Sequence, residues 1–203
     1  MDTMHNIMLK LELRKKYKSG SAAEIIGDAI LTGNISGEIA QNEFADSLQV
    51  SRIPVREALI ALEYHGLIEK MSNQHVRIIN LSDADIRSLF ADMSLLELEA
   101  MKSLPDERLE YLSSAVYPAD FHRELYMNTE SPLRKVFLRV ITETYIVFVL
   151  EHSDGSRIAP VFETLKQSLR DYKTLRKSYN VYAEVLSDEL IRIRREHRHE
   201  DMY

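Results

Sequence analysis

The chain has 203 residues and is 45% hydrophobic, enough to build the core of one large or two small domains. A net charge of −6 excludes a generally basic nucleic-acid coat, although a locally basic face stays compatible with binding one DNA sequence. The absence of cysteine excludes disulfides, Cys-ligated zinc and a thiol nucleophile, and fits a reducing cytoplasm. No run of about 18 apolar residues occurs. The most apolar stretch, 136–150, is broken by Arg139, Thr142, Glu143 and Thr144. The amino terminus has no apolar core of signal-peptide type. A cytoplasmic protein without a membrane span is expected.

Residues 1–20 form a basic arm with Lys10, Arg14, Lys15, Lys16 and Lys18. Such an arm can touch DNA phosphates or simply be solvated. The spacing of Ala22, Ile25, Ile26, Ala29 and Ile30 predicts a helix over 21–31, ended by Thr32-Gly33-Asn34. Residues 35–40 read as a connector. Phe44, Ala45 and Leu48 give the next helix its apolar face. After a tight turn, Val55, Ala58, Leu59 and Leu62 form one stripe of a second helix.

Arg52 and Arg56 stand one turn apart beside that stripe, where their guanidinium groups share a face. Paired arginines on an anchored helix suit a major groove, since arginine grips phosphate or takes guanine O6 and N7 with its planar fork. The same pair can equally be solvated surface. Ser51 is placed to cap the helix or reach a phosphate, and Pro54 sits in the first turn, where its missing N–H costs nothing. Gly66 stops the helix. Two short β-prone runs follow, 67–71 and 75–79, joined by the polar turn Ser72-Asn73-Gln74. Helix, helix, hairpin is the order of a winged helix-turn-helix.

At Glu43–Ile68 the chain resembles the GntR family of bacterial transcription regulators, most specifically in the run VSRIPVREAL. The resemblance is strong over residues 22–80 and covers the remainder in outline. It implies operator binding by Arg52 and Arg56, with Ser51 on the DNA backbone, and the wing residues Asn73 and His75 are candidates to lie over the backbone or enter the minor groove. There are two departures. Asn42 stands where the family often has an arginine, which weakens one contact. His75 stands where the wing usually has a glycine. If that position needs positive φ, histidine tolerates it less well.

Leu81-Ser82-Asp83 opens a second domain, with Ser82 and Asp85 spaced for a capping box. From here the periodicity is helical throughout. Helices are predicted from Ser82 to about 103, over 105–115, 118–127, 133–150, 158–179 and 181–195. Pro105, Pro118 and Pro132 stand at or near helix starts. The economical packing is an antiparallel bundle of about six helices.

This half resembles the FadR-type, or FCD, branch of the family, whose helical domain binds an effector and forms the dimer. Many members hold a divalent metal with an Asp four residues before a His and two later histidines. Here His122 matches, but Pro118 occupies the Asp position and Asp120 is two residues away. The last helices offer no histidine before His197 and His199, and His152 lies at a helix end. One imidazole does not make a site, so no metal cofactor is expected and His122 reads as a buried, hydrogen-bonded residue. Met93 stands where relatives carry a carboxylate-binding arginine. Met93, His122 and Tyr145 are the candidate lining of an effector pocket, and Phe90, Met93, Met101 and Tyr145 read equally as plain core.

No Gly-rich phosphate loop, Gly-x-Ser-x-Gly or His-Glu-x-x-His is present, so catalysis is not expected. The fold class is mainly α. A winged helix-turn-helix of three helices and a two-stranded wing (21–80) precedes an all-α antiparallel bundle (81–203). The expected function is a transcriptional repressor binding a pseudo-palindromic double-stranded operator as a homodimer, controlled by an unknown small-molecule effector. The rival from another class is a dimeric winged-helix scaffold that has lost DNA. The acidic charge favours the scaffold, and the intact VSRIPVREAL run favours the regulator.

Overall fold

Helix α1 (Ala22–Leu31) starts at a capping box. The Ser21 hydroxyl accepts from the Glu24 amide at 3.3 Å, and the Glu24 carboxylate accepts from the Ser21 amide at 2.6 Å. The computed structural model describes residues 21–200, so the basic arm read at 1–20 lies outside the described residues. The chain divides into two units. Among the described residues, one comprises 21–80 with 194–200, and the other is Leu81–Ile193.

In the first unit, α2 (Gln41–Leu48) turns at Gln49, a left-handed residue with φ 56°, into α3 (Arg52–Tyr64). Val55, Ala58, Leu59 and Leu62 are buried, as their spacing predicts, and α3 packs against α1. Gly27 permits the approach: a Cβ there would lie 3.3 Å from Leu62 Cδ2. Helix α3 ends in a Schellman pair. The Leu67 amide donates to the Leu62 carbonyl and the Gly66 amide to the Glu63 carbonyl, each at 3.0 Å. Gly66 takes φ 71° with open space around it, so glycine is required there by conformation rather than by room.

The wing hairpin consists of β2 (Ile68–Lys70) and β3 (His75–Ile78), antiparallel with Ile68 opposite Ile78 and Lys70 opposite Val76. A third strand completes the sheet. Residues 35–40 are more than a connector: β1 (Glu38–Ala40) pairs antiparallel with β3, giving the order β1-β3-β2. Ile39 lies opposite Val76, and both are buried. Three residues carry too little alternation to read as a strand alone, and the long-range partner makes them one. The positive φ of the wing falls at Gln74 (61°), not at His75, which is an ordinary strand residue.

The second unit contains six helical rods among the described residues. They are α4 (Asp83–Met101), α5 (Asp106–Ser113), α6 (Pro118–Met127), a continuous rod of α7 and α8, α9 (Ile158–Gln167) and α10 (Tyr172–Glu200). In the fourth rod, α7 (Pro132–Ile141) passes through a π turn (Thr142–Ile146) into α8 (Val147–His152). The capping box at α4 forms as read, with the Asp85 amide 3.2 Å from the Ser82 hydroxyl and the Ser82 amide 2.9 Å from the Asp85 carboxylate. One helix boundary differs. The expected break near residue 180 lies at 168–171, and Asn180 is inside α10. Asp171 opens that helix, its carboxylate accepting from the Lys173 amide at 3.3 Å and from the Thr174 hydroxyl. The residues of α10 from Arg194 on group with the first unit rather than with the bundle. There Arg194 donates to the Ile30 and Leu31 carbonyls at 3.3 and 2.9 Å.

Gly66→Ala keeps every contact but forces a Cβ into the left-handed region. It is expected to lower stability by about 1–2 kcal/mol, read as a lower urea midpoint with an unchanged slope.

Candidate DNA-binding surface

Once the apolar stripe of α3 is buried, its remaining sides face water. Arg52 and Arg56 are both exposed, and neither has a polar partner among the described residues. Ser51 is the N-cap residue with extended backbone, but its hydroxyl makes no cap bond. That hydroxyl and the first amides of α3 stay open at a helix N-terminus, which favours an anion. Pro54 is half-buried at the third helical position. Asn42 is exposed at the start of α2. Sequence reasoning missed Ile53, which is 70% exposed between Arg52 and Pro54. With Ile60 and Tyr64 it gives the same side of α3 an exposed apolar strip. An apolar residue at the groove-facing end of such a helix can contact a thymine methyl. Its one available signal was its place outside the buried spacing of 55, 58, 59 and 62.

The wing's cations are differently placed. Lys70 pairs with Glu63, and Arg77 with Glu38 at 3.2 Å and Glu69 at 3.5 Å. Lys70 and Arg77 are thus both engaged by acids brought in by the sheet and by α3. Asn73 is exposed at the tip. His75 is half-buried, its Nδ1 3.0 Å from the Asn73 carbonyl oxygen.

In the helical unit, Met93 and His122 are fully buried and Tyr145 nearly so. His122 lies in a polar network that the sequence did not reveal. Its Nδ1 stands 2.9 and 3.0 Å from the two Glu97 oxygens, and its Nε2 is 3.0 Å from the Tyr182 hydroxyl. Tyr179 donates its hydroxyl to Glu97. A carboxylate can only accept, so Nδ1 donates to Glu97, and Nε2 shares a hydrogen bond with the Tyr182 hydroxyl. Burial, with the Glu97 charge second, pushes both tyrosine hydroxyls well above the usual phenol range and keeps them as donors. Both imidazole nitrogens are therefore engaged, and no group of three acidic or histidine ligands occurs among the described residues. His152 stacks on Phe148, its Nδ1 3.0 Å from the Phe148 carbonyl oxygen. This donor set does not fit a divalent-metal centre. Two clefts of about 410 and 480 Å³ open on this unit. The first is floored by Leu98, Met101, Leu169 and Leu175, the second by Ala91, Ser94, Ala183 and Ser187. Met93, His122 and Tyr145 line neither.

No protein-family model matches the chain, and no curated protein matches it in sequence. Solved structures do. Lar of Listeria monocytogenes, described as controlling expression of the agr system and mediating virulence, superposes with a TM-score of 0.55 at 16% identity. The match covers 84% of this chain and 95% of that one. E. coli McbR/YncC gives 0.47 at 16% identity, over 93% and 98% of the two chains. A GntR-family transcriptional regulator from Pseudomonas syringae gives 0.35 at 20% identity, over 100% and 99%. The likeness to Lar shows that this chain shares its fold, a winged helix followed by a helical domain.

Glu97→Ala leaves His122 and Tyr179 buried without their acceptor. It is expected to destabilise the helical unit by about 3–5 kcal/mol in thermal or urea melts. A loss no larger than that of an exposed substitution would show that the network carries no stability.

Proposed function

We propose that the chain is a DNA-binding transcriptional regulator of the GntR family, FadR type, acting as a repressor on a pseudo-palindromic operator that it binds as a homodimer. The observation that carries this reading is the state of the two α3 arginines. Arg52 and Arg56 are exposed, beside the buried stripe that holds α3, and have no polar partner among the described residues, while Lys70 and Arg77 close by are paired with acids. A solvated arginine in so acidic a chain readily finds a carboxylate, and among the described residues these two do not. The motif Glu43–Ile68 and the fold shared with Lar, a protein described as controlling gene expression, support the same conclusion.

In this mechanism each α3 enters a major groove. Arg56 and Arg52 fork onto guanine edges or clamp phosphates, and Ile53 meets thymine methyls. Ser51 and the open amides of α3 hold a phosphate, and Asn73 and His75 bring the wing tip to the backbone. Two copies related by a two-fold axis read two half-sites spaced by about 34–36 Å or a multiple of it. Residues 21–80 are the DNA-binding domain, 81–203 the dimerisation and effector domain, and 1–20 a basic arm. A small-molecule effector entering among Met93, His122 and Tyr145 would compete with Glu97 and Tyr182 for the imidazole, and so would loosen the bundle as it binds. A protein that works on an operator works in the cytoplasm. The scaffold reading has the acidic charge in its favour. A flat response of DNA binding to salt would support it, because a regulator that neutralises phosphates shows a steep one.

Selection of bound sequences from random duplex DNA is expected to enrich a short inverted repeat. On that site Arg56→Ala should cost about 1–3 kcal/mol and relax the preference at one base pair of each half-site. An equal loss on every sequence, with a smaller salt slope, would make Arg56 a phosphate clamp instead.

A further inference from the structure

The winged helix is itself acidic. Residues 21–80 hold four lysines and arginines against eight aspartates and glutamates, a net charge of −4. A protein that grips any duplex by its backbone needs the opposite sign, because sequence-independent affinity comes from cations that displace the counterions of phosphates. The four cations divide by position. Arg52 and Arg56 stand on α3 with no polar partner among the described residues, whereas Lys70 and Arg77 belong to the wing and are paired.

Strand register builds the pairing of Arg77. Glu38 on β1 and Glu69 on β2 both lie opposite Arg77 on β3. Val76 and Ile78 on either side of Arg77 are buried, so alternation puts Arg77 and its two neighbours on the solvent face of the sheet. The result is a row of glutamate, arginine and glutamate across the three strands. All three guanidinium nitrogens meet a carboxylate. Nε and Nη2 donate to Glu38 Oε1 at 3.4 and 3.2 Å, and Nη1 donates to Glu69 Oε2 at 3.5 Å. At the edge of the same hairpin Lys70 donates to Glu63 on α3.

Exposed pairs of this kind add little to stability. Their effect on an approaching polyanion is more direct. Two carboxylates beside one guanidinium leave the row with a net negative charge, felt over the roughly 8–10 Å that physiological salt leaves unscreened. Arg77 must leave both acids, or bring their charge with it, before it can hold a phosphate.

We propose that Glu38 and Glu69 withhold Arg77 from the DNA backbone, so that the wing adds little sequence-independent affinity and the chain binds appreciably only where α3 finds its bases. The proposal rests on the regulator reading above and gives a role to two acids which that reading leaves unused. Specific affinity is backbone affinity multiplied by what the base contacts add, so suppressing the first makes the second decisive.

The test measures binding of the full chain to a random-sequence duplex over a range of salt. Four proteins are compared: the unaltered chain, Glu38→Gln with Glu69→Gln, Arg77→Gln, and all three substitutions together. Glutamine keeps the size of each exposed side chain, so the circular dichroism spectrum is expected to stay unchanged. Freeing Arg77 is expected to tighten binding roughly threefold or more, and to steepen the logarithmic salt slope by about 0.9, the share of one phosphate. With Arg77→Gln present, the same glutamate substitutions should change both quantities much less, since no cation is left to release. Any contribution of the basic residues 1–20 is common to all four proteins and cancels. An equal gain with and without Arg77 would reflect only the removal of negative charge and would overturn the proposal, as would no gain at all. An inverted repeat recovered by selection serves as the second probe. Tight binding to it, with no effect of the glutamate substitutions on either duplex, removes this proposal alone. Binding to neither duplex by any of the four proteins removes the regulator reading and the proposal with it.

Discussion

Burial of one stripe of α3 governs the first unit. Val55, Ala58, Leu59 and Leu62 must leave water, and the place available is against α1, where Gly27 lets Leu62 come close. A helix fixed by one side presents the others without choice. Arg52 and Arg56 therefore face outward because of where the leucines go, and no hydrogen bond is needed to aim them. The same constraint exposes Ile53 and Ile60.

The sheet decides which positive charges are available. Strand pairing sets Glu38 and Glu69 on either side of Arg77, since both lie opposite it in the register. Cross-strand neighbours of opposite charge attract, and the Arg77 charge is matched locally. Lys70 meets Glu63 at the end of α3. A winged helix with all four cations unpaired would attract any polyanion. Pairing two of them leaves the cationic character of this unit on α3.

In the helical unit a buried carboxylate imposes the order. Glu97 and His122 are both fully buried, and an ion so placed is tolerated only with its hydrogen bonds complete. Two tyrosines from α10 supply them, so α4, α6 and α10 are tied by one buried polar cluster. The imidazole that resembles a metal ligand in sequence is occupied on both nitrogens by side chains of its own unit.

Much of the local structure was legible in sequence because its causes are local. The capping boxes Ser21–Glu24 and Ser82–Asp85, the Gly66 stop and the prolines at helix starts act within a few residues, and each marks a boundary where the structure has one. Helical spacing likewise separated the buried side of α3 from Arg52 and Arg56. What only the tertiary structure decided depends on partners far along the chain. Strand β1 exists because β3 lies beside it, the Arg77 charge is matched by residues 38 and 69, and the positive φ of the wing falls at Gln74 by the geometry of its hairpin. The break of the last helices moved from 180 to 168–171 because burial of Tyr179 and Tyr182 outweighs the weak helix preference of Asn180 between them. Glu97 reads in sequence as one more solvated acid on a helix. It is a buried anchor because His122 and Tyr179, 25 and 82 residues away, converge on it, and no local pattern records such a meeting.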